Sequence, residues 1–418
     1  MSPARRTVVL LAPTTTYRGE DFLAAADRLG VDVIQGSDRC HVLAEQWQEG
    51  AIPLRFDEPE ASARQILEAV SDRDIAAVIG TDERTVLIAA IAARALGLRH
   101  NPVEAALAVR DKHRMRERLL RKGVPSPGYT LVSIDDAPED LARRVTFPCV
   151  LKPLLLSASR GVIRADDAPG FVRAFARLRA LLDRPEIRHM DQVASRQALV
   201  EDYVPGEEVA LEGLLYDGEL RVLALFDKPD DLVGPYFEET ICVTPSRKPV
   251  EAQRAIAATA ARAARALGLS HGPIHAELRL GPRGPVIIEA AGRTIGGLCS
   301  RALRFGAGIS LEELVLRHAL GMDVASLAPA PEASGVMMIP IPRAGVLRRV
   351  DGIDQARAAP HVEGVEVTAR LGQALEPLPE GAAYLGFIFA RATDPERVES
   401  ALRAAHANLR FDIAPELT

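Results

Sequence analysis

Cysteine is sparse in this sequence: Cys40, Cys149, Cys242 and Cys299 lie far apart and never form a CxxC pair, so reduced, mostly buried thiols are expected. Long apolar runs are missing too. None approaches the roughly 20 residues that a membrane helix needs. The early run Thr7–Ala12 is shorter than a secretory core of about 7–15 residues, and no cleavage signature follows it. Nor is charge of one sign in excess: 51 Lys and Arg against 57 Asp and Glu leave −6. Nothing therefore recruits nucleic acid or an anionic membrane. These absences predict a soluble, cytoplasmic protein with neither nucleic acid nor membrane as partner. Repeats of 20–50 residues are absent, and the one biased tract, Pro/Ala-rich Leu327–Ala333, reads as a linker. What remains is 418 residues, 48% hydrophobic and 26% charged, enough for a large core and two to three domains.

The first hundred residues alternate strand and helix patterns. Thr7–Ala12, Val31–Ile34 and Ile75–Ile79 read as strands, and Glu20–Leu29, Ala61–Val70 and Thr85–Leu98 as helices. This alternation predicts a parallel α/β sheet with right-handed crossovers. The loop after the first strand, residues 13–19, carries no GxGxxG, so a Rossmann-like domain without a dinucleotide site is expected over 1–100. Residues 101–128 read as one linking amphipathic helix, Val103 to Arg121, stopped by Lys122-Gly123 and Pro125-Ser126-Pro127.

From about 129 the pattern turns to antiparallel hairpins. Gln197–Val204 is read as pairing with Glu208–Leu215, Leu211–Tyr216 with Leu220–Leu225 across Asp217-Gly218, and Ile274–Leu280 with Pro285–Ala290. An Ala-rich helix, Val250–Leu267, precedes the last of these. The tail from 332 to 418 shows strands near Gly335–Pro340, Val365–Thr368 and Tyr384–Ala390 and a helix over Pro395–Leu409. The fold class expected is an α/β N-terminal domain followed by α+β units over 129–200, 201–326 and 332–418.

Chemistry-bearing residues recur along this frame. Lys152 ends the strand Phe147–Pro153, where its ammonium either holds a phosphate or snorkels to the surface. Residues 157–162 form a small-residue loop carrying Arg160, which suits backbone contact with phosphate or an ordinary turn. Glu201, Tyr203 and Val204 end a strand, and Glu208 follows seven residues after Glu201. The segment 202–204 can offer backbone groups to a flat heterocycle, and Glu208 can accept from a ribose hydroxyl. Glu277 and Glu289 stand in otherwise apolar paired strands, where an unpaired charge is costly. They either share Mg²⁺ or pair with Arg279 and Arg293. Arg293 and then Gly296-Gly297 put a guanidinium and open backbone where a phosphoryl group or its acceptor can sit. His275 points to the side of Glu277 on its strand, either as a proton acceptor or oxyanion stabiliser or as a structural histidine. His271 reads as surface. Arg301 faces either a substrate carboxylate or solvent. Lys228 and Glu238–Glu239 flank a loop that either closes over a nucleotide or is solvated.

Together these five ordered motifs resemble the ATP-grasp carboxylate–amine ligases, from residue 1 to about 325. The resemblance implies a pre-ATP-grasp domain at 1–100, a small lobe at 129–200 and a large lobe at 201–326. Lys112 and Lys152 would hold ATP phosphates, and Ser157, Ser159, Arg160 and Gly161 would form the phosphate lid. Glu201, Tyr203 and Val204 would frame adenine and Glu208 would bind ribose. Glu277 and Glu289 would carry Mg²⁺, with Mn²⁺ as a substitute, and Arg293 would stabilise the transferred phosphoryl. Gly296, Gly297 and Arg301 would face substrate. Two departures stand out: Ala291 replaces the family's usual Asn, and His275 a common Arg. Both are similar to the bacterial L-amino acid ligase branch, as are segment 227–240 and the tail with 345–350 and 384–389. That branch implies ATP-dependent dipeptide synthesis from free amino acids. A carboxylase, an acid–thiol or carrier ligase, or a non-catalytic nucleotide module are the other readings. A homodimer through the apolar face of Thr85–Leu98 is a further expectation.

Overall fold

Val8, Val9, Leu10 and Leu11 are all buried, because a parallel strand with helices on both faces has no solvent side. The strand Thr7–Leu11 lies between Asp32–Ser37 and Ile75–Gly80, and Ala51–Pro53 adds an outer parallel partner. The computed structural model describes residues 5–38 and 51–415; Cys40 lies outside the described residues. Helices Gly19–Leu29 and Pro59–Ala69 cross over between these strands, and a third, Glu83–Ala95, follows the last of them. Asp82 caps the third through a reciprocal capping box with Thr85. The apolar face of that helix is taken up inside the chain. Ile88, Ala89 and Ala92 pack into the core beneath the sheet, while Leu87 and Ala90 pack against Val103 and Ala106.

The single linking helix is in fact two, Val103–Arg110 and Lys112–Arg121. Asp111 breaks the chain with extended backbone and then accepts hydrogen bonds from the His113 and Arg114 N–H groups as the cap of the second helix. A second correction concerns Gln197–Asp202. It does not form a hairpin with Glu208–Tyr216 but lies between Tyr129–Ser133 and Cys149–Pro153 in a four-stranded antiparallel sheet completed by Ile163–Ala165. Pro205-Gly206 thus marks a crossing between sheets rather than a tight turn. Gly206 has φ 112°, and a Cβ there would come 2.2 Å from the Leu280 carbonyl.

The large sheet runs Gly284–Ala291, Gly272–Gly281, Glu208–Tyr216, Glu219–Asp227 and Ile241–Thr244, antiparallel throughout. Two expected hairpins are present, turning at Asp217-Gly218 and after Gly281. The tail does not keep its strands to itself. Ala333–Ile339, Gly386–Ala392 and Val362–Val367 continue the large sheet beyond Ile241–Thr244. Gly345–Asp351, Ala374–Leu375 and Arg410–Ala414 form a separate small sheet.

The segment 376–380 of the tail reaches back to the four-stranded lobe. Arg177 pairs with Glu380 and Arg184 with Glu376. The Gly161 N–H donates to the Pro379 carbonyl at 2.8 Å and Arg160 Nε to the Glu380 carbonyl at 2.6 Å. Loop 157–161 is therefore clasped from outside. Replacing Glu376 and Glu380 together by Gln is expected to lower stability by less than about 2 kcal/mol, because the pairs are partly exposed. Trypsin should then cut at Arg160 several-fold faster in the nucleotide-free protein; an unchanged cutting rate would contradict the clasp.

Candidate active site

A cavity of about 320 Å³ opens where the four-stranded lobe, the large sheet and the N-terminal domain meet. At one end, Tyr203, Val204 and the loop residues Ser157, Ala158 and Ser159 line it. Ala158 and Ser159 have left-handed backbone at φ 55° and 54°, a costly state for residues with a Cβ. Gly161 continues the turn at φ 74°. Arg160 and Gly161, expected in the phosphate lid, do not line this cavity; the clasp holds them turned toward 379–380, and Arg160 lies 3.7 Å from Glu186.

Glu201, expected beside the adenine, lines the cavity and is held from behind. Its carboxylate is buried and accepts from Arg116 Nε at 2.8 Å, with Lys152 Nζ at 2.9 Å. Burial alone would raise this carboxyl, but Arg116 and Lys152 outweigh it and hold it at about 2. Arg116 also donates to the Ile288 carbonyl at 2.6 Å, one residue before Glu289. Lys112 Nζ donates to the Leu156 carbonyl at 2.7 Å and lies 3.6 Å from Glu289. Both lysines thus face the cavity on fixed supports.

In the middle, Glu277 and Glu289 are direct cross-strand partners. The alternative pairings, Glu277 with Arg279 and Glu289 with Arg293, do not occur: Arg279 binds Glu208 at 2.9 Å and Arg293 binds Glu83. Instead Lys228 Nζ sits 2.8 Å from Glu208, 2.9 Å from Glu239 and 3.0 Å from Glu277. Oxygens of these three carboxylates lie within 4.8 Å of one another. Burial and the neighbouring Glu277 push the Glu239 carboxyl up to about 8, whereas Lys228 and His275 overcome burial and hold Glu277 well below its ordinary range. An all-oxygen, anionic donor set around a cation is the environment of a hard divalent metal. Glu208, expected at a ribose, is engaged by Lys228 and Arg279.

At the far end, His275 Nδ1 meets the buried Glu212 carboxylate, and Nε2 lies 3.4 Å from Glu277. Burial would lower this imidazole, but Glu212 raises it to about 9. Arg293 is held by Glu83, at the start of the helix Glu83–Ala95, and donates to the Thr294 carbonyl at 2.7 Å. Buried Arg18 donates to the Thr294 and Ile295 carbonyls and to Thr294 Oγ1. Gly296 and Gly297 line the cavity with Cys299 and Tyr384. Arg301 does not. It pairs with Asp21 and Glu366 and ties the N-terminal domain to the tail. His271, read as surface, is half-buried and stacks on His318 at 4.5 Å, away from this cavity.

Four supporting residues escaped the sequence reading. Glu212 carried a usable signal, an acid in the apolar strand Glu208–Tyr216 on the same face as Glu208. Arg18, Glu83 and Arg116 carried none, because their partners are distant in sequence. Glu201→Gln tests the buried pair. Its folded pKa lies below its unfolded value, so its contribution is present above pH 4.5 and is lost as pH falls toward about 2. The variant is expected to lose about 3 kcal/mol at pH 7 and to show a flatter acid limb in denaturant unfolding at successive pH values.

Three family models match the chain in order: an ATP-grasp N-terminal domain over 23–100, an ATP-grasp domain over 145–302 and an L-amino acid ligase C-terminal domain 2 over 337–414. The alanine–anticapsin ligase of Bacillus subtilis is 27% identical over 70% of this chain and 65% of its own length. Dapdiamide A synthase of Enterobacter agglomerans is 27% identical over 57% of this chain and 55% of its own. The matches thus span less than two thirds of these curated relatives. The crystal structure of an L-amino acid ligase from Bacillus licheniformis superposes with a TM-score of 0.81 at 25% identity, covering 98% of this chain and 99% of that one. With its lysines, facing carboxylates and Arg293 gathered in one cleft, and all three of its parts matched, the chain belongs to the ATP-grasp ligase superfamily, in the L-amino acid ligase branch.

Proposed function

We propose that the chain is an ADP-forming ligase that joins the carboxylate of one amino acid to the amine of another through an acyl-phosphate. The observation that carries this is the gathering of groups in one cavity: Lys112 and Lys152, the facing carboxylates Glu277 and Glu289, and Arg293 with His275 beside Gly296, where a Cβ would meet nothing within 4 Å. Relatives named for joining alanine to anticapsin and for dapdiamide synthesis support an amide product.

In this reading Tyr203 and Val204 frame the adenine, and Lys112, Lys152 and the backbone of 157–159 hold the phosphates. Glu277 and Glu289, with Glu239 beside them, would hold Mg²⁺ or Mn²⁺, which supplies charge neutralisation at the phosphate oxygens when bound. Arg293, fixed by Glu83, faces the phosphoryl group as it passes to the substrate carboxylate. The amine then attacks the activated carbonyl, forming the amide bond as phosphate leaves. The His275 imidazolium, charged at neutral pH through Glu212, donates a hydrogen bond to the oxyanion of that step. It does not take up the amine's proton in that state; the departing phosphate carries that proton away. Placement and charge stabilisation provide most of the acceleration, because an acyl-phosphate is already reactive.

A phosphate-release screen over amino-acid pairs, with mass spectrometry of products, tests the substrate class. Stimulated ATP cleavage with a dipeptide mass is expected; no response to any pair would remove the dipeptide reading. Glu289→Gln is expected to retain the melting temperature and to lower turnover by at least about 10³-fold. Near-normal turnover in that variant would sink the metal assignment.

A further inference from the structure

We infer that Glu212 is a positioning residue that sets His275 and the loop 293–297 in one register, so that phosphoryl transfer and amide formation act on the same acyl group. The inference rests on the ligase reading above and adds a residue to it. Glu212 is 1% exposed, in the centre of the large sheet. Its two oxygens have separate tasks. Oε1 engages His275 Nδ1, on the adjacent strand Gly272–Gly281, where Glu212 and His275 are direct cross-strand partners. Oε2 accepts the Ile295 N–H at 3.0 Å. A buried carboxylate with two different donors cannot shift toward one without releasing the other.

The Ile295 end is held from the opposite side. Arg18 donates to the Ile295 carbonyl at 3.0 Å and the Thr294 carbonyl at 3.1 Å, so the peptide units after Arg293 are gripped between the N-terminal domain and the large sheet. Arg293 enters that loop and Gly296-Gly297 leave it, both lining the cavity. Any displacement of the loop moves Arg293 and the glycine pair together relative to His275. Glu212 itself does not line the cavity, so its effect passes through these groups rather than through substrate contact.

Glu212→Gln keeps shape and one acceptor oxygen but turns the other position into a donor facing a donor. Turnover to amide is expected to fall about 10- to 100-fold, the loss typical of a broken buried charged hydrogen bond. The affinity for a fluorescent ATP analogue should stay within about threefold, since the nucleotide end lies on other supports. Phosphate released per amide formed should rise clearly above one. An unchanged ratio overturns the proposal. So does a parallel fall in melting temperature, nucleotide affinity and turnover, which would make Glu212 only a structural group. If the wild-type protein forms no amide, the ligase reading fails by itself, and Glu212 is judged on two activity-independent signals. The low-field His275 Nδ1 proton should vanish in the variant and the Ile295 amide should exchange faster. Persistence of both signals overturns the positioning role.

Discussion

The buried carboxylate of Glu201 is the constraint on which the site's geometry depends. It binds Arg116 from the helix Lys112–Arg121 and Lys152 from the strand Cys149–Pro153, and Arg116 in turn reaches the Ile288 carbonyl. The helix Lys112–Arg121 and the strand Gly284–Ala291, which share no hydrogen-bond ladder with the sheet that carries Glu201, are thereby fixed around one side of the cleft. A charged group removed from water is tolerable only when its partners are complete. Here the two cations answer one carboxylate, and the surplus positive charge faces the cavity through Lys152.

The opposite end follows the same logic with different donors. Arg293 is presented by Glu83 and its loop is gripped by Arg18, both from the N-terminal domain. The parallel α/β unit thus contributes to the cleft by holding Arg293 and the loop that follows it. Between the two ends, Lys228 lies among three carboxylates and keeps them together.

Much of this was legible in the chain because local periodicity decides it. The alternation of the first hundred residues, the Asp217-Gly218 turn and the acids in the apolar strands Gly272–Gly281 and Gly284–Ala291 are short-range signals that tertiary packing does not override. The misread features are those decided at long range. Gln197–Asp202 has an apolar pattern that fits a hairpin as well as the centre of another sheet, and only pairing with Tyr129–Ser133 and Cys149–Pro153 selects between them. Asp111 looked like a polar position on one amphipathic helix, yet its capping ability splits that helix in two. Arg160 and Arg301 are cations near the right motifs whose partners, Glu380 and Asp21, lie far along the sequence. No spacing rule reaches so far.

The continuation of the large sheet into the tail has a consequence for any shortened form of the chain. Ile241, Cys242, Val243 and Thr244 are buried, and their outer hydrogen-bonding edge is covered by Ala333–Ile339. A chain cut at the 327–333 segment would expose that edge together with two β-branched aliphatic side chains. An open strand of this kind recruits another strand from a second molecule. The truncated product would self-associate through that edge, which the tail covers in the intact chain.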